Sequence, residues 1–315
     1  DNVHNTEGVL LRYLDSVYEF LGIAIKSPSW AMKAQAARSI GDAANKLGRQ
    51  LNEEHRNKFI ETIKTGLAGR TWDGKEFLLE ALLQLNLSSS DLAETHKNEE
   101  IVELVFNECK KENVNYRMVA LKTLGELLEK LKIDRFAQTY QLVMHIIQKS
   151  TEDDDDDDQS QNLKLKETLF SLVGKAWPQT LTTQVEFGET VAAQCADHLK
   201  NNTRQLQLAI VGTLLKVIER LAFAQLYASH KQQLKYILSH VRRALHFSFG
   251  VPKNISLRKL SLEVYILVIT NLKDLRATEE LESFISLYNE FSINFIADES
   301  PEVKLLLQNM KESME

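Results

Sequence analysis

Proline and glycine are scarce in this chain. Four prolines and twelve glycines occur in 315 residues, although turns and irregular loops depend on these two residue types. Their scarcity argues against a β-rich or loop-rich protein and favours long helices. With 43% hydrophobic and 26% charged residues, the chain has enough apolar side chains to bury a core, which excludes global disorder.

Cysteines are rare, and long apolar runs are missing. Cys109 and Cys195 lie far apart in predicted helices, which excludes a disulfide framework and favours a reducing compartment. We expect both thiols to pack as small apolar side chains. The most apolar run, Val264–Ile269, falls far short of the roughly 20 residues that a membrane span needs. We therefore expect a soluble protein that does not insert into membranes.

The overall charge offers no concentrated positive field. The formal net charge is −6, whereas binding to phosphates requires clustered Lys and Arg. Local basic clusters such as Arg242 and Arg243 are short and are typical of a solvated helix surface. This balance argues against nucleic acid as the main partner.

What the chain does contain is a helical pattern that recurs. Within Asn113–Leu131, apolar residues step by three or four, the spacing of one helix face. The apolar stripe is wide enough to need neighbours on more than one side. Similar segments recur about 42 to 51 residues apart, the period of two-helix HEAT-type repeats. Each begins near an anchor residue, and the anchors are Lys33, Lys75, Arg117, Lys164, Gln207, Arg258 and Glu302.

This recurrence predicts an all-α fold, an α-solenoid of about seven HEAT-like helix pairs. Because each pair in such a stack contacts only its neighbours, we predict a single continuous solenoid over residues 1–315. One long helix is predicted over Phe223–Phe247. Six aspartates in a row cannot pack together, so we predict a disordered acidic loop at about residues 151–161. The chain begins without Met, and we expect a monomeric piece of a longer protein.

The segment Gly69–Glu76 comes closest to a catalytic motif. It spells G-x-x-x-x-G-K, as in a phosphate-binding loop, but Glu76 stands where a hydroxyl should reach Mg²⁺. The residues before it also form a helical pattern, whereas the motif requires a strand. We interpret the segment as a turn between two helices of one repeat, with Asp73 and Glu76 as a capping-box-like helix start.

No other pattern predicts catalysis or metal binding. Cys195 and His198 are one helical turn apart, but a zinc site needs further ligands that nothing nearby supplies. A nucleophilic site whose members meet only in space stays open. We predict no catalytic residue, metal or cofactor, and therefore no enzyme.

Two predicted turns carry the residue types that dominate protein-binding hot spots, tryptophan and arginine. Alternatively, each tryptophan fills the wedge between two repeats. The acidic run either docks on a basic surface or keeps a loop solvated. The candidate protein-binding residues are Arg70, Trp72, Lys75, Trp177, Asp153, Asp154, Asp155, Asp156, Asp157 and Asp158.

Four segments go beyond the generic repeat. They are G-R-T-W-D-G-K-E at 69–76, E-C-K-K-E-N-V-N-Y-R at 108–117, D-R-F at 134–136 and G-K-A-W-P at 174–178. In this order and spacing they resemble the C-terminal region of the family of large HEAT-repeat proteasome adaptor and scaffold proteins. The likeness covers most of the chain and is strongest from about residue 64 to 178. The aspartate run departs from the family pattern.

The resemblance implies a non-enzymatic protein that binds the 26S proteasome and bridges its core particle and regulatory cap. It also implies a part in proteasome quality control, in the cytoplasm and nucleus, with endomembranes reached through partners. The residues alone leave a second hypothesis, a HEAT-repeat adaptor of the importin or phosphatase-scaffold type that binds a basic protein partner. A nucleotide-binding enzyme is a distant third.

Overall fold

The computed structural model describes seven ranges of the chain. They are residues 11–47, 50–87, 95–152, 159–200, 202–251, 254–296 and 300–314. These ranges contain fifteen helices joined by turns and no strand, which confirms the all-α fold class. The chain divides into two compact units, Asp1–Ile133 and Asp134–Glu315. A single continuous stack over both units stays a prediction.

The described residues of the first unit form three helix pairs. In chain order the helices are α1 (Leu14–Ala24), α2 (Trp30–Leu47), α3 (Glu53–Leu67), α4 (Glu76–Leu87), α5 (Thr95–Glu108) and α6 (Val114–Leu131). The second helices of successive pairs pack in series, α2 against α4 and α4 against α6. In the other layer α1 packs against α3.

Where the structure describes the second unit, its helices form four pairs, with one additional short helix. Its helices are α7 (Phe136–Glu152), α8 (Gln159–Ala176), α9 (Leu181–His198), α10 (Arg204–Arg220), α11 (Phe223–Ser229), α12 (Lys231–Gly250), α13 (Ile255–Asp274), α14 (Thr278–Ile296) and α15 (Pro301–Met314). In one layer α8, α10, α13 and α15 pack in series; in the other, α9 packs against α12 and α12 against α14. Both units therefore have the layered α-solenoid organisation that the repeat predicts.

Four of the seven anchor residues occupy equivalent positions in this architecture. Lys33, Arg117, Gln207 and Arg258 are each the fourth residue of the second helix of a pair. Arg117 Nε donates a hydrogen bond to the carbonyl of Lys111 at 2.7 Å, in the turn between α5 and α6. Gln207 Nε2 donates in the same way to the carbonyl of Leu199 at 3.2 Å. At these two positions a side-chain donor fastens the turn inside its own pair, a physical reason for a basic or amide anchor.

Side-chain caps set the beginnings of several helices. Asn52 accepts a hydrogen bond from the backbone N–H of His55 at 2.8 Å and is the N-cap of α3. Asn113 and Asn254 cap α6 and α13 in the same way, and Thr203 caps α10. Asparagine and threonine thus begin helices where an apolar residue would leave first-turn N–H groups without acceptors.

The structure corrects the predicted helix Phe223–Phe247. The chain forms two helices there, α11 and α12, and His230 lies between them with φ −138° and ψ 45°, outside the helical region. The N–H of His230 still bonds to the carbonyl of Leu226 at 2.7 Å. The break lets Phe223 and Leu226 turn into the core, whereas periodicity alone treats the segment as one straight helix.

The predicted acidic loop is shorter than residues 151–161. α7 extends through Glu152 and α8 begins at Gln159. Both ends of the predicted loop are therefore helical, because the acids are concentrated between them. Asp153–Asp158 lie outside the described residues, and their disorder stays a prediction. None of the helices in the described ranges combines the length and the apolar character needed to cross a membrane.

Candidate protein-interaction sites

The Gly69–Glu76 turn folds inward because of its two glycines. Gly69 has φ 82° and Gly74 has φ 97°, values that favour glycine over residues with a Cβ. Between them, Trp72 is only 8% exposed. Its ring stacks on that of Trp30 with 6.2 Å between centroids, and Lys33 Nζ lies 5.9 Å from the Trp72 centroid. The turn is thereby pressed against the beginning of α2.

Lys75 is the centre of a buried polar cluster at the end of this turn. Its side chain is fully buried, and Nζ lies 2.9 Å from Glu108 Oε2. Tyr116 donates its hydroxyl to the same oxygen at 2.6 Å. Burial lowers the pKa of Lys75, an effect that the Glu108 carboxylate partly opposes. Burial and the hydrogen bond to Glu108 raise the pKa of Tyr116. The cluster connects the beginning of α4 with the end of α5 and the beginning of α6.

This geometry contradicts a phosphate-binding loop. The ammonium group that should reach a phosphate is buried against Glu108, and Glu76 Oε2 accepts a hydrogen bond from the backbone N–H of Gly74 at 3.1 Å. The Glu76 carboxylate thus already accepts the hydrogen bond from the backbone N–H that a bound phosphate would need. The capping-box interpretation is also wrong, since the helix begins at Glu76 and its carboxylate reaches Gly74 rather than Asp73.

The burial of this turn also changes its assignment as a binding surface. Trp72 and Lys75 face the interior, which argues against both as protein-contact residues, and Trp72 fills a wedge as the alternative proposed. Arg70 is exposed and stays a candidate contact residue. The neighbouring helix pair contacts Gly69, because Lys111 Nζ donates a hydrogen bond to the Gly69 carbonyl at 3.1 Å.

Trp177 is buried as well. It is 2% exposed, and its ring meets Phe136 edge-on with 5.0 Å between centroids. The structure therefore favours the wedge-filling alternative for this tryptophan too. Asp153–Asp158, the remaining candidates, lie outside the described residues, so their role in protein binding stays a prediction.

A carboxamide closes the turn that contains Trp177. Gln184 is fully buried, and its Nε2 donates to the carbonyls of Pro178 at 2.8 Å and Arg220 at 2.7 Å. Its Oε1 accepts from the N–H of Ala222 at 2.9 Å. Arg220 Nη1 in turn donates to the carbonyl of Trp177 at 3.0 Å. The ends of α8, α9 and α10 meet at this one side chain.

Burial disfavours the thiolate form of both cysteines. Cys109 and Cys195 are buried, and burial raises the pKa of Cys195 to about 12 and also raises that of Cys109. Both pack as small apolar residues, as predicted. His198 meets the ring of Phe170 at 5.6 Å, and burial lowers its pKa. Within the described ranges, no group of three or more His, Cys, Asp or Glu residues could hold a metal ion.

The segregation of charge along the second unit was not found when basic residues were considered in adjacent pairs. Residues 220–262 contain eight Lys and Arg and no Asp or Glu. Residues 277–303 contain seven Asp and Glu and no Lys or Arg. α12 falls in the basic stretch and α14 in the acidic one. A count of charge over windows of helix length would have found this segregation in the sequence.

A groove of about 1290 Å³ lies between α12 and α14. We call it the α12–α14 groove. Its apolar lining consists of Leu238, Phe247, Phe284, Phe291 and Val251. Lys235 Nζ crosses from α12 to Glu279 at 2.8 Å and to Glu280 at 3.4 Å. Farther along, His246 Nε2 lies 3.0 Å from Glu290 Oε1. The carboxylates of the α14 wall are thereby engaged from α12.

The α12 side of the groove carries additional positive charge. Arg243 pairs with Asp197 at 2.8 Å and is 49% exposed. Arg242 Nε donates to the carbonyl of Ser283 at 3.2 Å. Within the described part of the chain, neither Arg242 nor Lys200, which also lines the groove, forms an ion pair. The geometry provides an apolar floor with cations along one edge.

Comparison with known proteins places these features in a family. A family model described as the ECM29 C-terminal ARM-like repeats matches residues 88–287. The proteasome-associated protein ECM29 homolog of Drosophila melanogaster is 32% identical over 228 residues, which cover 66% of this chain and 12% of that protein. The Homo sapiens proteasome adapter and scaffold protein ECM29 is 28% identical over 299 residues, 90% of this chain and 16% of that protein. The chain thus spans less than a fifth of the length of these relatives.

A solved structure supports the fold independently. A crystal structure of importin beta superposes with a TM-score of 0.71 at 12% identity and covers 94% of this chain and 34% of that chain. At that identity the likeness concerns the fold alone, and it agrees with the α-solenoid assignment. The match of the family model over residues 88–287 assigns the family: the chain belongs to the ECM29 family and contains its C-terminal ARM-like repeats.

Proposed function

We propose that this chain is a non-enzymatic scaffold segment that associates with the proteasome. The match to the ECM29 C-terminal repeats carries the proposal. The relatives in fly and human are named as a proteasome-associated protein and as a proteasome adapter and scaffold. The structure is compatible with such a role, since stacked helix pairs expose extended surfaces suited to protein contacts.

The finer proposal is that the segment contributes to a bridge between the core particle and the regulatory cap of the 26S proteasome. Through this bridge it would serve proteasome quality control in the cytoplasm and nucleus, and reach endomembranes through partners. A bridge requires at least two contact surfaces. The exposed Arg70 in the first unit and the α12–α14 groove in the second are two candidate surfaces of different chemistry.

The test is binding of the purified chain to purified 26S proteasome, core particle and regulatory cap in separate experiments. We expect the chain to co-elute with the 26S particle on size-exclusion chromatography. We also expect a measurable dissociation constant by surface plasmon resonance. Bridging predicts, in addition, that the chain slows the separation of core particle and cap in high salt. A chain that binds none of the three particles would overturn the proposal.

A transport or phosphatase-scaffold role has no comparable support. The likeness to importin beta is a likeness of fold at 12% identity. In the same binding experiment, a basic cargo peptide serves as the comparison ligand. Preference for that peptide over every proteasome particle would favour the transport hypothesis.

A further inference from the structure

We propose that the α12–α14 groove docks an acidic amphipathic helix of a partner protein. The inference rests on the proposed scaffold function, because it assigns one contact of that scaffold to a defined surface and a defined partner chemistry. Three features of the groove carry it, namely its charge, its apolar floor and its size.

The charge of the groove favours carboxylates. Three glutamates line the α14 side, and all three are engaged by side chains of α12, since Lys235 pairs with Glu279 and Glu280 and His246 Nε2 lies 3.0 Å from Glu290 Oε1. The cations left for a ligand are on the opposite edge. They are Lys200 and the half-exposed Arg243, which shares a single carboxylate, that of Asp197, whereas Arg242 reaches across to the Ser283 carbonyl of α14. Carboxylates that approach this edge gain charge-assisted hydrogen bonds.

The same arrangement disfavours a nucleic acid. A phosphate backbone needs a continuous positive field along its length. In this groove Glu279, Glu280 and Glu290 line the wall opposite the cations, so one side of a bound strand would face carboxylates. A peptide can place acids on one side and neutral or basic residues on the other. Such a peptide matches a groove that has cations along one edge and carboxylates along the other.

The floor and the size of the groove favour a helix. Phe247 and Phe291 are partly exposed and lie beside the buried Leu238 and Phe284, so an apolar stripe at helical spacing has aromatic surface to cover. The cavity of about 1290 Å³ corresponds to roughly three turns of a helix about 10 Å wide. Such a helix would lie along the groove between Lys235 and Val251.

Two synthetic peptides test the preference of the groove for acidic ligands. A fluorescein-labelled peptide of about 15 residues carries Leu at helical spacing on one face, Glu on one flank and Gln on the other, and a matched peptide carries Lys in place of Glu. Fluorescence anisotropy with the full chain gives the two affinities at low and moderate salt. We expect the acidic peptide to bind at least tenfold more tightly than the basic one, with an affinity that falls as salt rises.

Two variants test the location. Lys200→Glu with Arg243→Glu reverses the cationic edge, and Ser239→Trp adds bulk at an exposed position of the groove lining without changing charge. Each should weaken the acidic peptide at least tenfold. The matched control, Lys122→Glu with Lys164→Glu, makes the same change of net charge at exposed positions outside the groove and should stay within about twofold, since distant exposed charges are screened. Circular dichroism confirms that each variant is folded.

Several results would overturn the inference. They are equal affinity for the acidic and basic peptides, an equal loss in the control variant, an oligonucleotide that competes more strongly than the peptide, or a groove variant that changes the oligomeric state of the chain. Failure of this inference can be distinguished from failure of the proposed function. If the groove variants still bind the proteasome while the peptide fails, the inference fails alone. If the peptide binds as expected while no proteasome particle does, the proposed function fails and the groove assignment stands.

Discussion

The turn at Trp72 in the first unit and the turn at Trp177 in the second fasten their helix ends with different chemistry. Each buries a tryptophan where helices meet. The first turn is closed by an ion pair, Lys75 with Glu108. The second is closed by the neutral carboxamide of Gln184, which makes three hydrogen bonds to the backbone.

The difference predicts how each turn fails. A buried ion pair depends on both members, because a single deletion leaves a charge without a partner in the interior. The carboxamide leaves only neutral backbone groups unsatisfied when it is lost, and each costs less than a charge. Loss of one residue should therefore destabilise the first turn more than the second, and restoring neutrality should rescue only the first.

The largest effect is expected from Lys75→Met. The substitution leaves the buried Glu108 carboxylate with only the more distant Lys111, 3.9 Å from Oε1, as a cation, and we expect the free energy of unfolding to fall by about 3 kcal/mol. Urea denaturation monitored by circular dichroism measures the change. The double variant Lys75→Met with Glu108→Leu removes both charges and should recover most of the loss. A double variant no more stable than the single one would show that the pairing of charges is not the cause.

A smaller loss is expected from Gln184→Leu. The change removes two donors and one acceptor and leaves two carbonyls and one N–H without these partners, at a cost of about 2–3 kcal/mol. Gln194→Leu is the matched control, since Gln194 lies on the same helix and is partly exposed. If both variants lose the same stability in urea, helix propensity or solvation, and not the network, explains the effect.

Periodicity predicted the repeating part of this structure well. The anchors Lys33, Arg117, Gln207 and Arg258 fall on one helical position, because a stack of pairs imposes the same apolar stripe and the same turn on every repeat. The inward direction of Lys75 could not be predicted in this way. Its partner Glu108 is 33 residues away, and the turn is folded inward by two glycine conformations that a side-chain pattern does not encode.

The groove was missed for a related reason. Its walls come from helices about 44 residues apart in sequence, as the contacts Lys235–Glu279 and His246–Glu290 show. Single basic pairs such as Arg242 and Arg243 look like ordinary surface. Only the absence of acids over residues 220–262 sets this stretch apart, and the opposing charge of α14 becomes relevant once the two helices are known to be neighbours.

The two glycines of the Trp72 turn should differ in how much stability an alanine substitution costs. Both have positive φ, so Ala at either position should cost about 1 kcal/mol in backbone strain. A Cβ at Gly69 meets nothing within 4 Å, whereas a Cβ at Gly74 would lie 2.6 Å from Ala34 Cβ. We therefore expect Gly74→Ala to cost about 2 kcal/mol or more, because α2 must shift. Equal urea midpoints for the two variants would mean that the turn is not pressed against α2.

The smallest effect is expected from pH, through His198 in the second unit. Burial lowers its pKa below the ordinary 6.5, and the neighbouring Lys166 adds to the shift. Between the lowered pKa and 6.5 the unfolded chain binds more protons than the folded one, so stability is retained above pH 6.5 and falls as the pH drops through that interval. His198→Gln should reduce the loss of urea resistance between pH 7.5 and 5.5. His145→Gln, at an exposed position of α7, should leave it unchanged. An identical pH response in the His198 variant and the unaltered chain would mean that carboxylates, and not this imidazole, set the acid sensitivity of the second unit.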